Sequence, residues 1–322
     1  MNPSPTAGQR PCPEFRQAVW DDDLAALVTE LAGDWLAEDL ADECDWTSIS
    51  TVDASAVSEL AVVSRGPGVV AGLPVAAAVA AVASPLLVVQ PMVSDGATVA
   101  AGQSVATLSG PTRAVLTAER TMLNALGRLS GIATAVRRLV DAVAGHPCRV
   151  YDTRKTVPGW RALDKYAVRA GGGWNHRSGL YDAILIKDNH LAAARAAGHD
   201  PAAVVRRARA FLATTFPASR ASRTVVEIEL DSAAELPAVL EAGPDVVLLD
   251  NMKPKDLAQC VAIRDRKAPG IILEASGGIR PETVATIAAS GVDRVSTGWP
   301  THAAPWLDIA LDWKDEAVQL TA

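Results

Sequence analysis

Apolar positions along this chain follow two different rhythms. From Asp21 to Asp45, in an acidic setting, Leu24, Leu27, Val28, Leu31, Trp35 and Leu36 recur at three- and four-residue steps, which predicts a helix. Short apolar runs follow at Ala61–Ser64, Val69–Val70, Leu86–Val89 and Val105–Leu108, separated by Gly, Pro, Ser and Asp. They predict a small sheet with helices on it, and a long helix from Arg113 to Leu126 or beyond leads away. After about residue 145 the unit becomes apolar run, polar cluster, helix. The runs are Arg149–Tyr151, Ala183–Ile186, Val225–Leu230, Val246–Leu249, Ile271–Leu273 and Asp293–Val295. Asp200-Pro201 predicts a helix start, Ser232-Ala-Ala-Glu235 a capping box, and Gly243 a helix stop. Pro281 and Gly291 bracket a further helix. Alternating strands and helices with apolar strands predict a parallel sheet covered by helices, either an α/β barrel or a doubly wound open sheet.

The residues at the end of each run separate these two. Asp152-Thr-Arg154-Lys155, Lys187-Asp-Asn-His190, Glu227 and Glu229, Asp250-Asn251, Glu274-Ala-Ser276-Gly-Gly and Ser296-Thr-Gly298 give six successive strands polar or glycine ends. In a β/α barrel those ends share one mouth, where catalytic groups gather. We therefore read a barrel with an active site.

Composition narrows the chemistry. The 322 residues are 49% hydrophobic and 21% charged, which is globular, and a net charge of −7 argues against a protein that coats nucleic acid. Any anion site must be local. Between Tyr151 and His190, seven Lys and Arg stand against four Asp. Arg161, Lys165 and Arg169 have helical spacing and suit a solvated or partner-facing helix side. Arg154, Lys155, Arg177 and Lys187, with His176 and His190 nearby, suit a substrate bearing several negative groups. Gly171-Gly-Gly173 fits either a close approach to a ligand or a turn. Gly277-Gly278 and Gly298 follow late strands, where barrels often bind phosphate. Glu229, Asp250 and Glu274 suit a catalytic carboxylate pair, a Mg²⁺ site shared with substrate phosphates, or stabilisation of an oxocarbenium-like cation. Four scattered cysteines without metal-ligand spacing indicate neither a zinc site nor a disulfide framework, and a reducing compartment is expected. The proline-rich start reads as a loose leader without a signal peptide. Val69 to Val93, although nearly uncharged, is punctuated by Pro74, Pro85 and Pro91, so no membrane span is expected.

Several segments carry a family resemblance: Thr117-Ala-Glu-Arg120-Thr-Met-Leu-Asn-Ala-Leu, Thr153-Arg-Lys-Thr-Val-Pro-Gly, Lys165-Tyr-Ala-Val-Arg, Gly171-Gly-Gly-Trp-Asn-His-Arg177, Leu185-Ile-Lys-Asp-Asn-His190, Val226-Glu-Ile-Glu229, Leu249-Asp-Asn251 and Glu274-Ala-Ser-Gly-Gly278. Taken in order, from about Glu38 to Asp312, the chain resembles the quinolinate phosphoribosyltransferase family. That resemblance implies a type II phosphoribosyltransferase fold, an N-terminal α/β sandwich-like domain followed by an open β/α barrel. The expected divisions are a flexible leader at 1–20, the N-terminal domain at 21–125 joined by a C-terminal helix at 303–322, and the barrel at 126–302. The implied reaction converts quinolinate and phosphoribosyl pyrophosphate to nicotinate mononucleotide, pyrophosphate and CO₂ with Mg²⁺, in NAD biosynthesis in the cytoplasm. By motif position, Arg154, His176, Arg177 and Lys187 would hold the quinolinate carboxylates. Lys155 would serve the phosphoribosyl pyrophosphate, Glu229 and Asp250 the ribose and the metal (directly or through water or substrate), and Ser276, Gly277 and Gly298 the phosphates. Lys155, Lys187, Glu229 and Asp250 form the implied catalytic set. The family is at least dimeric, and Arg120 would reach the neighbouring subunit's site. Trp174 and Trp299 stand where the family more often has smaller residues, so a different pocket edge is expected. The rival readings are a molybdenum-transport-linked paralogue, a Schiff-base aldolase using Lys187, and a non-catalytic sensor of phosphorylated sugars.

Overall fold

The computed structural model describes residues 13–313, which fall into two units. One comprises 18–137, 157–172 and 300–313; the other comprises 13–17, 138–156 and 173–299. In the first, the Asp21 carboxylate accepts a 3.0 Å hydrogen bond from the Leu24 N–H and so caps α1 (Asp22–Leu40). The buried positions of α1 are Leu24, Val28, Ala32 and Leu36, one per turn. A short α2 (Trp46–Thr51), β1 (Val57–Ser64) and β2 (Gly68–Val69) lead to α3 (Leu73–Ala83). The Asp95 carboxylate accepts from the N–H groups of Gly72 (2.7 Å) and Leu73 (3.1 Å), satisfying donors that the start of α3 leaves open. Next come β3 (Val88–Pro91), β4 (Thr98–Val99), β5 (Ser104–Pro111) and α4 (Thr112–Ala142). The uncharged stretch Val69–Val93 is thus built around the buried helix α3, and among the described residues no helix is long and apolar enough to cross a membrane.

The second unit opens with β6 (Arg149–Tyr151). The following α5 (Arg161–Ala170) belongs to the first unit. Strands and helices then alternate: β7 (Ile184–Ile186), α6 (Asp188–Ala196), α7 (Pro201–Thr215), α8 (Ala218–Ala221), β8 (Val226–Leu230), α9 (Leu236–Ala242), β9 (Val246–Asp250), α10 (Pro254–Lys267), β10 (Ile272–Ser276), α11 (Pro281–Ala288), β11 (Arg294–Ser296) and α12 (Trp299–Ala303). The six strands are parallel in the order β6-β11-β10-β9-β8-β7. The first strand pairs with the last, and β6 and β7 remain the two edges. This is the expected open β/α barrel.

Strand alternation divides the barrel residues by face. Ile228, Val247, Leu249, Leu273, Ala275 and Val295 belong to the main core with helix residues such as Val205, Leu236 and Leu257. Their alternates, Glu227, Glu229, Asp250, Glu274, Ser276, Arg294 and Ser296, turn inward. Register places Glu274 beside Arg294, and Ser276 beside both Asp250 and Ser296. Helix punctuation agrees with the sequence at Asp200, which accepts from Ala203 N–H at 2.6 Å, and at Gly243, which ends α9. Ser232 and Glu235 do not form a capping box; the Ser232 hydroxyl accepts from Ala234 N–H in a turn, and α9 begins at Leu236.

Three expectations about the ends and the division differ from the structure. The segment from 303 is no helix: Pro305 interrupts it, and β12 (Ile309–Trp313) pairs antiparallel with β1 in the order β12-β1-β5-β3. The open edge of β1 offers that strand a full hydrogen-bond ladder, and Arg65 pairs with Asp312 beside it. Residues 314–322 lie outside the described residues. So do 1–12 of the expected leader, whereas Phe15 is 5% exposed and part of the barrel unit's core. The expected division at 125/126 falls inside the 31-residue α4.

Candidate active site

The C-terminal ends of the barrel strands surround a cavity of about 630 Å³. Arg154, Lys155, His176, Arg177, Lys187, Glu229, Asp250, Ser276 and Gly277 all line it, together with Asn251, Gly278 and Ser296. Gly298 does not line the cavity but backs it, since a Cβ there would lie 3.0 Å from the Lys155 side chain. Arg120 is not in this cavity. It stands on α4 in the other unit, lining a cavity of about 560 Å³ with Asp39, Cys44, Trp46 and Thr117.

Two arginines in the mouth have hydrogen-bonding capacity that their neighbours leave unused. Arg177 is buried, and its Nη1 donates to the Ala183 carbonyl at 3.3 Å. Burial first, and the adjacent Arg154 charge second, lower its pKa. Arg154 Nε is itself buried and makes no hydrogen bond among the described residues. Two neighbouring guanidiniums with this much unused donor capacity form a site that an anion would complete. Lys187 Nζ lies 2.7 Å from Glu229 Oε2, and Asn251 donates to Asp250 Oδ2 at 2.7 Å. His190 acts locally, its Nδ1 accepting from the Lys187 N–H at 2.9 Å at the start of α6.

Below the mouth lies an ionic floor. His176 Nε2 is 3.0 Å from Glu227 Oε2 and 3.5 Å from Glu274 Oε1, and Arg294 Nε is 2.7 Å from Glu274 Oε2. Glu227, Glu274 and Arg294 are almost fully buried. Burial opposes a charge on His176, but Glu227 and then Glu274 outweigh it and push the imidazole pKa up to about 9. One backbone contact pulls the other way, because Nδ1 accepts from the Arg177 N–H at 2.9 Å and a doubly protonated ring has no lone pair there. That backbone contact assigns the single proton to Nε2, facing Glu227; charging the ring requires the Arg177 amide to let go. His176, Glu227 and Glu274 have spacing that could suit a metal ion, but Arg294 already supplies the positive charge. Asp152 fixes the same segment, its carboxylate accepting from His176 N–H (2.7 Å) and Asn175 Nδ2 (2.8 Å).

The sequence places Asp152 and Glu227 among the polar strand ends without a specific role, and does not single out Arg294. Their signal was period two: Glu227 must share a face with Glu229, and Arg294 with Ser296. Other readings change. Lys165 is 2% exposed on α5, not solvated. Gly171 serves packing, because a Cβ there would meet the Ala133 carbonyl at 2.5 Å and Val136 at 2.7 Å. Trp174 does not edge the pocket; it bridges to Tyr151, stacks on that ring and lies under the Arg149 guanidinium. Trp299 likewise packs against the barrel core.

Residues 45–130 match the family model for the quinolinate phosphoribosyl transferase N-terminal domain, and residues 132–312 match that for its C-terminal domain. A nicotinate-nucleotide pyrophosphorylase (carboxylating) of Mycobacterium leprae is 44% identical over 288 residues, covering 86% of this chain and 94% of that protein. The Homo sapiens protein of the same name is 36% identical over 291 residues, with 89% and 91% covered. The solved nicotinate-nucleotide pyrophosphorylase from Francisella tularensis superposes with a TM-score of 0.83 at 34% identity, covering 93% of this chain and 99% of that one.

Proposed function

The chain belongs to the quinolinate phosphoribosyltransferase family, and from that premise we infer how its barrel mouth works. It is a pentosyltransferase that moves the phosphoribosyl group of phosphoribosyl pyrophosphate to quinolinate with loss of CO₂, giving nicotinate mononucleotide and pyrophosphate for NAD biosynthesis. The observation that carries this reading is the adjacent pair of half-buried Arg154 and buried Arg177, with donors left unused, in one cavity with His176 and Lys187. Arg154, Arg177 and Lys187 suit a flat dianion, and we assign them the two quinolinate carboxylates, with His176 seated beneath them, its ring nitrogens engaged by Glu227 and by the Arg177 N–H. Lys155 then serves the phosphoribosyl pyrophosphate, while Ser276, Gly277 and, behind Lys155, Gly298 shape the phosphate side.

The reaction follows from charge. Fixed cations hold two mutually repelling anions in contact, which is orientation and electrostatic work. The bond from the ribose carbon to pyrophosphate breaks, and pyrophosphate leaves with the electron pair. Cationic character on that carbon is stabilised by Glu229 and Asp250, and the pyridine nitrogen bonds to it. The new pyridinium then accepts the electrons of the adjacent carbon–carboxylate bond, CO₂ departs, and the ring carbon takes a proton from solvent. No residue forms a covalent bond to substrate. Glu229 and Asp250 each have one oxygen engaged, by Lys187 and Asn251 respectively, and one left over, a donor set that fits Mg²⁺ shared with substrate phosphates. Magnesium there would neutralise pyrophosphate charge.

We further assign the protein to the cytoplasm and to a homodimer, with Arg120 completing the neighbour's site. Exposed Trp46, Val57, Leu86 and Val88 supply apolar surface suited to a second copy. The deciding experiment mixes protein, Mg²⁺, quinolinate and phosphoribosyl pyrophosphate, and follows nicotinate mononucleotide and CO₂. Equimolar formation is expected; phosphoribosyl pyrophosphate binding without pyrophosphate release would leave only a sensor.

Gly277 offers a sharper check on the phosphate side. Its φ is +90°, and a Cβ would lie 2.1 Å from Asn251 Oδ1. Asn251 is itself left-handed at φ 54° and is held by the Ser276 carbonyl at 2.9 Å. Gly277→Ala should therefore displace Asn251, raise KM for phosphoribosyl pyrophosphate about tenfold or more, and cost about 1–3 kcal/mol of stability. Steady-state kinetics and urea denaturation measure both effects.

A further inference from the structure

Residues Glu14–Gln17 precede the family-matched region and yet reach the substrate site from beneath. Phe15 packs with Ala183, Val225 and Val246, at the N-terminal ends of the barrel strands, and with Tyr151 of β6. Its ring stacks on the His176 imidazole, with centroids 4.3 Å apart and planes 28° apart. Two residues on, the Gln17 side chain clamps Asn175 as a neighbouring strand would. Its Oε1 accepts from the Asn175 N–H at 2.8 Å, and its Nε2 donates to the Asn175 carbonyl at 3.1 Å. Glu14 anchors the other end by accepting from the Tyr151 hydroxyl at 2.8 Å, with Arg294 Nη1 at 3.4 Å.

We propose that Glu14–Gln17 is a positioning arm for the dicarboxylate site: Phe15 sets the tilt of the His176 ring, and Gln17 fixes the backbone that carries His176 and Arg177. The inference rests on the reading that Arg177, whose backbone His176 holds, grips quinolinate. The physical case is that the ring must keep Nε2 on Glu227 and Nδ1 on the Arg177 amide at once. Only a narrow range of ring angles satisfies both, and a stacked aromatic beneath the ring restricts it to that range. Preorganising a binding group in this way removes an ordering cost from substrate capture. None of these contacts involves the phosphate side of the cavity, so the effect is specific to one substrate.

Four proteins test the arm: wild type, Phe15→Ala, Phe15→Leu and Gln17→Ala. Phe15→Leu keeps the barrel floor apolar but removes the stacked ring, and Gln17→Ala leaves the core untouched. Phe15→Leu is expected to keep the wild-type unfolding midpoint, whereas Gln17→Ala should lower it by taking two hydrogen bonds from the buried Asn175 backbone. Both should raise KM for quinolinate about tenfold and leave KM for phosphoribosyl pyrophosphate within about twofold. Phe15→Ala should show the same kinetic split with a lowered midpoint. If Phe15→Leu restores wild-type quinolinate KM, the residue is only a plug and the proposal is wrong. A second readout needs no turnover: the His176 ring resonances, assigned by NMR in the free protein, should shift in Phe15→Leu and in Gln17→Ala. Unchanged resonances also overturn the arm, even where wild type makes no nicotinate mononucleotide and the assigned reaction fails separately.

Discussion

Lys187→Ala is expected to lower kcat/KM by about a thousandfold while leaving the fold intact, and Arg154→Ala to do the same. The size follows from the role proposed for each group in a shared cavity, which is to supply a fixed charge to an anion that water no longer screens. Removing one such donor from a preorganised site costs about 10²–10³ in rate, and Lys187→Ala also leaves Glu229 without its 2.7 Å partner beside the substrate. The fold should survive because the Lys187 side chain is 47% exposed. Arg154 is half-buried, and its Nε has no hydrogen bond to lose. Stability changes should stay within about 0.5 kcal/mol for Lys187→Ala, as for most surface substitutions. Arg154→Lys separates shape from charge. If Arg154 grips a carboxylate with two parallel N–H groups, lysine should recover only a small part of the loss. Near-normal turnover in Lys187→Ala or Arg154→Ala would remove that residue from its assigned role.

Much of this was legible along the chain because barrel chemistry is written locally. Each strand carries its cavity-lining residue at or just past its own C-terminal end, so Arg154, Lys187, Glu229, Asp250 and Ser276 could be found from short windows. Their convergence in one cavity then follows from the parallel order of the sheet. The alternation rule also held Glu227 and Arg294 in plain view, but their partners are tertiary facts. Nothing near Arg294 announces Glu274, its register neighbour one strand away.

The harder cases involve long separations. Phe15 meets His176 across some 160 positions, and a lone aromatic between a glutamate and an arginine in a proline-rich start has no periodicity to reveal it. Lys165 has the helical spacing of a solvated face and is buried all the same, because tertiary packing and not spacing decides which face is covered. The C-terminal strand depends on an open edge of β1 some 250 residues earlier. Gly171 was ambiguous for a related reason: a ligand, a turn and a packed helix all demand the same absent side chain.

The ionic floor yields the largest expected change in stability. Glu274 is fully buried; burial favours its neutral form, but the His176 Nε2–H and then the Arg294 guanidinium outweigh this and hold its carboxyl well below the usual carboxylate range. Glu274→Ala leaves Arg294, 2% exposed, with its 2.7 Å partner gone, and removing one member of a buried pair costs about 3–5 kcal/mol. Urea denaturation should show that loss near pH 7. The acid limb supplies a second signature. A carboxyl whose folded pKa is depressed stabilises fully above its unfolded value, and that contribution disappears as pH falls through the folded pKa. The difference between wild type and Glu274→Ala should therefore be constant near neutrality and shrink as acid protonates Glu274. Glu274→Leu combined with Arg294→Met tests whether the cost lies in the stranded charge, since apolar replacement of a whole buried pair is often neutral. Recovery of most of the stability is expected in the double variant, with quinolinate KM still raised because His176 has lost one of its two carboxylates. If the double variant is no more stable than Glu274→Ala, a stranded Arg294 is not the source of the cost, and the floor holds the barrel by packing.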